Sequence, residues 1–182
     1  MLLDEKKLVA DYEELMKQYE ESDEWDEPAA LFIRWDDSDP KIKGCIMVIP
    51  TPHPGDFLKM LLEGGPTMAQ EVLRGIGEVP ADMPIAAIAM VNEGWGIDVE
   101  ATPSEIIELI QQDKLKISDL PTRIETRLIL LVTRSKNVYF GNQDRGGHFK
   151  WIARSDEEST IEAVGNMPAL LYPLVTGEPY VP

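Results

Sequence analysis

One segment, residues 84–96 (PIAAIAMVNEGWG), constrains the fold of this chain more than any other. It begins as an unbroken apolar run and ends in an amide, a carboxylate and an indole between two glycines. An apolar run of this length, bounded by proline and glycine, is typical of a strand that is buried on both faces. Polar groups at its end lie where a buried sheet opens to solvent. Asn92, Glu93 and Trp95 therefore mark a candidate site.

A second long strand is predicted over residues 123–133, with a polar start and an apolar remainder. Because side chains alternate along a strand, Arg123, Glu125 and Arg127 project to one face. If the two strands are antiparallel neighbours, Glu93 lies near these three side chains. If they are parallel, the polar ends lie at opposite edges of the sheet and no cluster forms. A helix predicted between the strands permits the parallel crossover.

Two interpretations of the antiparallel cluster are open. One is a structural ion-pair network at a strand end, with bidentate arginine–carboxylate geometry. The other is a pocket in which an arginine fork binds a nucleotide or another anionic ligand and an indole stacks on the ligand ring. The candidate ligand-binding residues are Asn92, Glu93, Trp95, Arg123, Glu125 and Arg127.

The charge of the chain is strongly negative and unevenly distributed. The formal net charge is −16; residues 1–40 hold 14 acids and 4 bases, whereas residues 123–154 hold 7 bases and 2 acids. Such a chain is repelled by nucleic acids and by anionic membranes, so direct nucleic-acid binding is not expected. Either the two segments neutralise each other, within the fold or across a subunit contact, or one of them binds a partner of opposite charge.

Residues 20–28 form an acidic linker after a helix predicted over residues 2–21. Trp25 either anchors this linker to the body of the protein or is exposed for a partner. The aspartates of residues 36–39 are typical of a turn and lack the EF-hand pattern of a calcium site. The candidate partner-binding residues are Asp23, Glu24, Trp25, Asp26, Asp36 and Asp37.

The whole pattern predicts an α/β or α+β protein with one mixed β-sheet of five to six strands flanked by helices. We expect a single domain over residues 1–182, in which residues 1–28 form the acidic helix and linker and residues 29–182 the mixed-sheet body. Asp56 and Thr102 are predicted helix caps.

The sequence contains no motif for catalysis or for a metal or cofactor. His53 and His148 lack metal-ligand spacing, and no phosphate-binding loop or Gly-x-Ser-x-Gly elbow occurs. The only cysteine, Cys45, is predicted to be a buried core residue. We therefore expect a protein that is not an enzyme. The absence of a long apolar run and of a signal-like start predicts a cytoplasmic protein that does not contact membranes.

Two motifs carry a resemblance to a known group of proteins. Glu93-Gly94-Trp95 at a strand end, followed by Pro121-x-Arg123-x-Glu125 before a long apolar strand, resembles small α/β proteins of unassigned function from bacteriophages and their bacterial hosts. The resemblance extends over residues 50–135 and carries no catalytic residue. It implies a phage-encoded or phage-related accessory protein in the host cytoplasm.

Three hypotheses of function follow. The first is an acidic binding protein that acts through protein–protein interaction with a basic host partner. The second is a small-molecule binding protein with the anion site described above. The third is a virion structural or assembly component, in which subunit contacts of a homo-oligomer bury the charged segments.

Overall fold

A computed structural model describes residues 4–22, 24–35, 44–154 and 167–180 of the chain. No helix in these ranges is long and apolar enough to cross a membrane. The elements, in chain order, are α1 (Glu5–Ser22), β1 (Ala30–Trp35), β2 (Gly44–Val48), α2 (Pro54–Leu62), α3 (Pro66–Ile76), β3 (Ile85–Gly96), α4 (Ser104–Gln111), a 3-10 turn (Ile117–Asp119), β4 (Ile124–Thr133), β5 (Val138–Asp144), β6 (Lys150–Arg154) and α5 (Met167–Thr176).

The six strands form one sheet in the order β2-β1-β3-β4-β5-β6. Every pair of neighbours is antiparallel, so the sheet is not mixed, and the predicted fold class is confirmed in its α+β form. The parallel crossover between β3 and β4 does not form. Because β3 ends in polar residues and β4 begins with them, the antiparallel arrangement places both polar ends at the same end of the sheet.

Helices cover both faces of the sheet, as the apolar run in β3 requires. Ile88 and Met90 point into a core shared with α2, α3 and α5. Ala87, Ala89 and Val91 point to the other face, where Tyr12 and Met16 of α1 pack against them.

Polar contacts hold α1 on its face of the sheet. The Tyr12 hydroxyl donates a hydrogen bond to the Phe32 carbonyl oxygen at 3.0 Å, and burial raises the pKa of this hydroxyl. Near the start of the helix, one carboxylate oxygen of Glu5 accepts hydrogen bonds from three side chains of β4, β5 and the turn between them, at 2.6–3.0 Å: Thr133, Asn137 and Tyr139. The helix is therefore attached at its start and along its length.

Both predicted helix caps are wrong. α2 begins at Pro54 with His53 as the N-cap, and α4 begins at Ser104 with Pro103 as the N-cap; neither has a side-chain cap. The Thr102 hydroxyl donates to the carbonyl oxygen of Asp98 at 2.6 Å instead. Local turn bonding thus competes successfully with capping at Thr102.

Candidate functional site

The pairing of β3 with β4 places Glu93 directly opposite Arg127. Arg127 is fully buried, at 0% exposure. Its Nε and Nη2 atoms donate to Glu93 Oε1 at 3.1 and 2.6 Å, and Nη1 donates to Gln143 Oε1 at 3.4 Å. A charge this deeply buried requires such partners, because desolvation of an unpaired guanidinium costs several kcal/mol.

The acidic linker folds back onto this ion pair. The main-chain N–H groups of Asp26 and Glu27 donate to Glu93 Oε2 at 2.7 and 3.2 Å, and Arg127 Nη2 donates to the carbonyl oxygen of Glu24. Asp26 has a φ of 69°, a left-handed conformation that aspartate tolerates better than most residues. This bend lets two successive N–H groups reach one carboxylate oxygen, as in an anion-binding nest.

Two aromatic rings flank the guanidinium group of Arg127. Its Cζ atom lies 4.5 Å from the ring centre of Tyr19 and 4.6 Å from that of Trp25, within the range of cation–π attraction. We call Tyr19, Trp25, Glu93, Arg127 and Gln143 the Arg127 cluster. It joins α1, the linker and three strands, and Trp25 anchors the linker within it.

The other predicted ligand-binding residues lie apart from this cluster. Glu125 pairs with Arg145, and Arg123 stacks over the ring of Trp95 at 4.6 Å. Asn92 points to the opposite face of the sheet, where it borders a cleft of about 210 Å³ beneath α2 and α5. The six residues therefore fall into four groups: Glu93 with Arg127, Arg123 with Trp95, Glu125 with Arg145, and Asn92 alone.

The predicted partner-binding residues are only partly described. Trp25 belongs to the Arg127 cluster through its ring, and Glu24 and Asp26 contact the cluster through their main chain. Asp23, Asp36 and Asp37 lie outside the described residues. The described part of the candidate partner-binding set thus lies against Glu93 and Arg127 of the candidate ligand-binding set.

The geometry of the cluster favours the structural interpretation. Arg127 presents no surface to solvent, and its donors reach Glu24, Glu93 and Gln143. The binding of an anion by Arg127 would require displacement of the linker. A ligand site at these residues stays a prediction.

Sequence reasoning missed three contributors to this region: Tyr19, Gln143 and Arg145. Tyr19 lies in the predicted helix and packs against the core beneath α1, but nothing in the sequence indicates its contact with an arginine. Gln143 faces Arg127 because the β4–β5 register pairs these two residues, and that register is not visible in the sequence. The Cζ atom of Arg145 lies 5.6 Å from the ring centre of Trp25.

Negative charge is concentrated at the C-terminal end of α1. The last turn of α1 contains Glu20 and Glu21 and no basic residue. The hydrogen bond with His148, and then that from the Phe149 N–H, lowers the pKa of Glu20. Burial, and then the neighbouring Glu24, raises the pKa of Glu27.

The Glu20 contact predicts acid sensitivity at this end of α1. A carboxyl group whose pKa is lowered by folding stabilises the folded state above its unfolded pKa of about 4.3 and loses that contribution as the pH falls. We expect the Glu20→Gln variant to melt below the wild type at pH 6 and to approach it near pH 3. Thermal unfolding between these values tests this, with Glu21→Gln as the exposed control. A difference in melting temperature that is constant with pH would contradict it.

The described residues offer no recognisable place for a metal ion. In these parts of the chain no group of three or more His, Cys, Asp or Glu side chains is arranged so that it could hold a metal ion. Cys45 is half-buried rather than fully buried and packs against the core under α2, α3 and α5, and burial raises the pKa of its thiol.

The structure thus defines an α+β protein with an antiparallel six-stranded sheet and a helix, α1, whose Tyr19 ring packs against a buried arginine. No family model, curated protein or solved structure matches the chain.

Proposed function

We propose that this protein is an acidic binding protein that acts without catalysis, by docking a basic protein partner on the C-terminal half of α1 and the linker. The proposal includes a phage-encoded or phage-related origin and a host partner. The observation that carries it is the division of the acids in this region into two groups. Glu20 accepts a hydrogen bond from the Phe149 N–H, and Glu93 accepts hydrogen bonds from Arg127 and from the linker. Glu14, Glu21 and Glu24 are exposed.

The helix itself strengthens the negative potential at this surface. The C-terminal end of an α-helix carries a partial negative charge, and acidic residues there are unfavourable by a few tenths of a kcal/mol to about 1 kcal/mol each. α1 places Glu20 and Glu21 at this end, and Glu24 follows them. A cationic partner would relieve this repulsion, and the long-range field would increase its association rate.

The surface is also held in one conformation before a partner arrives. The Arg127 cluster fixes the linker main chain at Glu24, Asp26 and Glu27. An ordered linker loses less conformational entropy on binding than a free one does. These contacts support a preformed docking surface.

Charge reversal tests the proposal. We expect the triple variant Glu14→Lys, Glu21→Lys and Glu24→Lys to capture its partner from bacterial lysate at least about tenfold less well than the wild type, because close charge pairs contribute 1 kcal/mol or more each. Asp26 is left unchanged because its positive φ suits aspartate better than lysine. Quantitative mass spectrometry of the captured proteins measures the loss.

The matched control reverses three exposed acids elsewhere: Glu63, Glu71 and Asp82. Both triple variants change the net charge by the same amount, so a difference between them reports position rather than total charge. Equal capture by the two variants, or a wild type that captures nothing above background, would reject the proposal.

A further inference from the structure

The strand β2 forms one edge of the sheet, and its outer side is unpaired within the described parts of the chain. Ile49, just beyond β2, donates its N–H to the Ala29 carbonyl oxygen at 2.7 Å. Because main-chain groups alternate along a strand, those of Cys45 and Met47 also point to β1, whereas those of Gly44, Ile46 and Val48 point outward.

Two of these three residues, Ile46 and Val48, also expose their side chains to solvent. Ile46 is 63% exposed and Val48 is 55% exposed. Both lie on the face of the sheet that α1 covers, but the helix does not extend over β2. It leaves an open groove of about 230 Å³ between Leu8 and Leu15 of α1 and Ile46 of β2.

The two edges of the sheet differ in their protection. Natural edge strands are kept from pairing by lysine, proline, bulges or covering segments. β6, at the other edge, begins with Lys150 and has a register irregularity against β5. β2 reads GCIMV, so it contains no lysine and no proline, and its register with β1 has no bulge.

We propose that β2 is a self-association edge, which pairs antiparallel with β2 of a second copy of this chain around a two-fold axis at Ile46. Ile46 is the middle residue of the five in β2. The two-fold axis therefore pairs Ile46 with Ile46 of the second copy, and Gly44 with Val48 of the second copy. All outward main-chain groups of both strands are then used, in about six hydrogen bonds. The glycine leaves room beside the branched side chain of Val48, and the two sheets become one.

The chemistry of the edge favours a second copy over the basic partner proposed above. The outward row of β2 carries no charge, and its hydrogen-bonding pattern is self-complementary under a two-fold axis. The net charge of −16 opposes association of two copies, so salt should strengthen the dimer. The paired edges are small compared with a standard interface, and we expect a dissociation constant on the order of 10–100 µM.

Sedimentation velocity on the full chain tests the inference. We expect the dimer fraction of the wild type to rise with protein concentration and between about 0.05 and 0.5 M salt. Ile46→Lys should abolish dimer formation without changing the melting temperature of the monomer. Ile152→Lys is the matched control, because Ile152 is a 42% exposed isoleucine on the other edge strand and should dimerise like the wild type.

Residue-resolved hydrogen exchange shows whether β2 forms the contact. The amides of Ile46 and Val48 should exchange fast in dilute protein and slowly in concentrated protein, whereas those of Cys45 and Met47 stay protected in both. A wild type that stays monomeric over this range overturns the inference, as does a dimer that persists in Ile46→Lys. Protection of the Ile46 amide in dilute protein overturns it too, since the edge would then be covered within one chain.

Discussion

Replacement of Arg127 with methionine is expected to lower the free energy of unfolding by about 3–5 kcal/mol, the cost of breaking a buried ion pair by removing one partner. The variant leaves the Glu93 carboxylate at 12% side-chain exposure without its cation. It also removes the donor to Glu24 and the cation between the rings of Tyr19 and Trp25. Chemical denaturation followed by tryptophan fluorescence measures the loss.

Arg123→Met is the matched control, because Arg123 is exposed and stacks over Trp95; its effect should stay within about 0.5 kcal/mol. Adding Glu93→Gln to Arg127→Met should recover part of the lost stability, since it removes the unpaired charge. An Arg127→Met loss below about 1 kcal/mol would show that the cluster contributes little. A nucleotide-dependent rise in melting temperature that Arg127→Met abolishes would instead support the anion-site interpretation.

Replacement of Trp35 with alanine should lower the free energy of unfolding by a similar amount, about 3–5 kcal/mol, because it leaves a large cavity in a packed core. Trp35 ends β1 and is 1% exposed. The end of α3 lies against its ring: a Cβ atom on Gly77 would come within 2.6 Å of the Trp35 ring. The ring therefore joins the sheet to the end of α3.

Trp95→Ala provides the control for the loss of an indole as such. Trp95 lies at the polar end of β3 and is 44% exposed, so its removal should cost about 1 kcal/mol or less. Equilibrium urea denaturation followed by circular dichroism compares the two variants without relying on tryptophan emission. Equal losses in both would contradict the assignment of Trp35 to the core.

The sequence predicted the elements of the fold better than their connections. The apolar run of β3 required cover on both faces, and both faces are covered. The alternation in β4 placed Arg127 and Glu125 on one face, as the pairing of Glu93 with Arg127 and of Trp95 with Glu125 confirms. The strand direction was open, because the spacing between β3 and β4 suits a return at either end of the sheet.

The contacts that the linker makes at the candidate site are less predictable from the sequence than the strands are. The linker donates hydrogen bonds to Glu93 from main-chain N–H groups. Every residue except proline has such a group, so the sequence does not indicate which of them will bind Glu93. The positive φ of Asp26 directs two of these groups at one oxygen; aspartate tolerates this conformation, but most aspartates do not adopt it, so the sequence does not predict it. The sequence leaves open whether Trp25 anchors the linker or is exposed for a partner, because its contact with Arg127 depends on where the chain folds back.

The carboxylate of Glu93 links the acidic surface to the centre of the sheet. One of its oxygens accepts the linker amides and the other accepts Arg127, and the same residue continues the buried run of β3. On the proposed function, a partner that binds the linker would also stabilise the pairing of β3 with β4. Binding at the surface and the free energy of unfolding would then be thermodynamically coupled, so that a bound partner would raise the melting temperature of the chain.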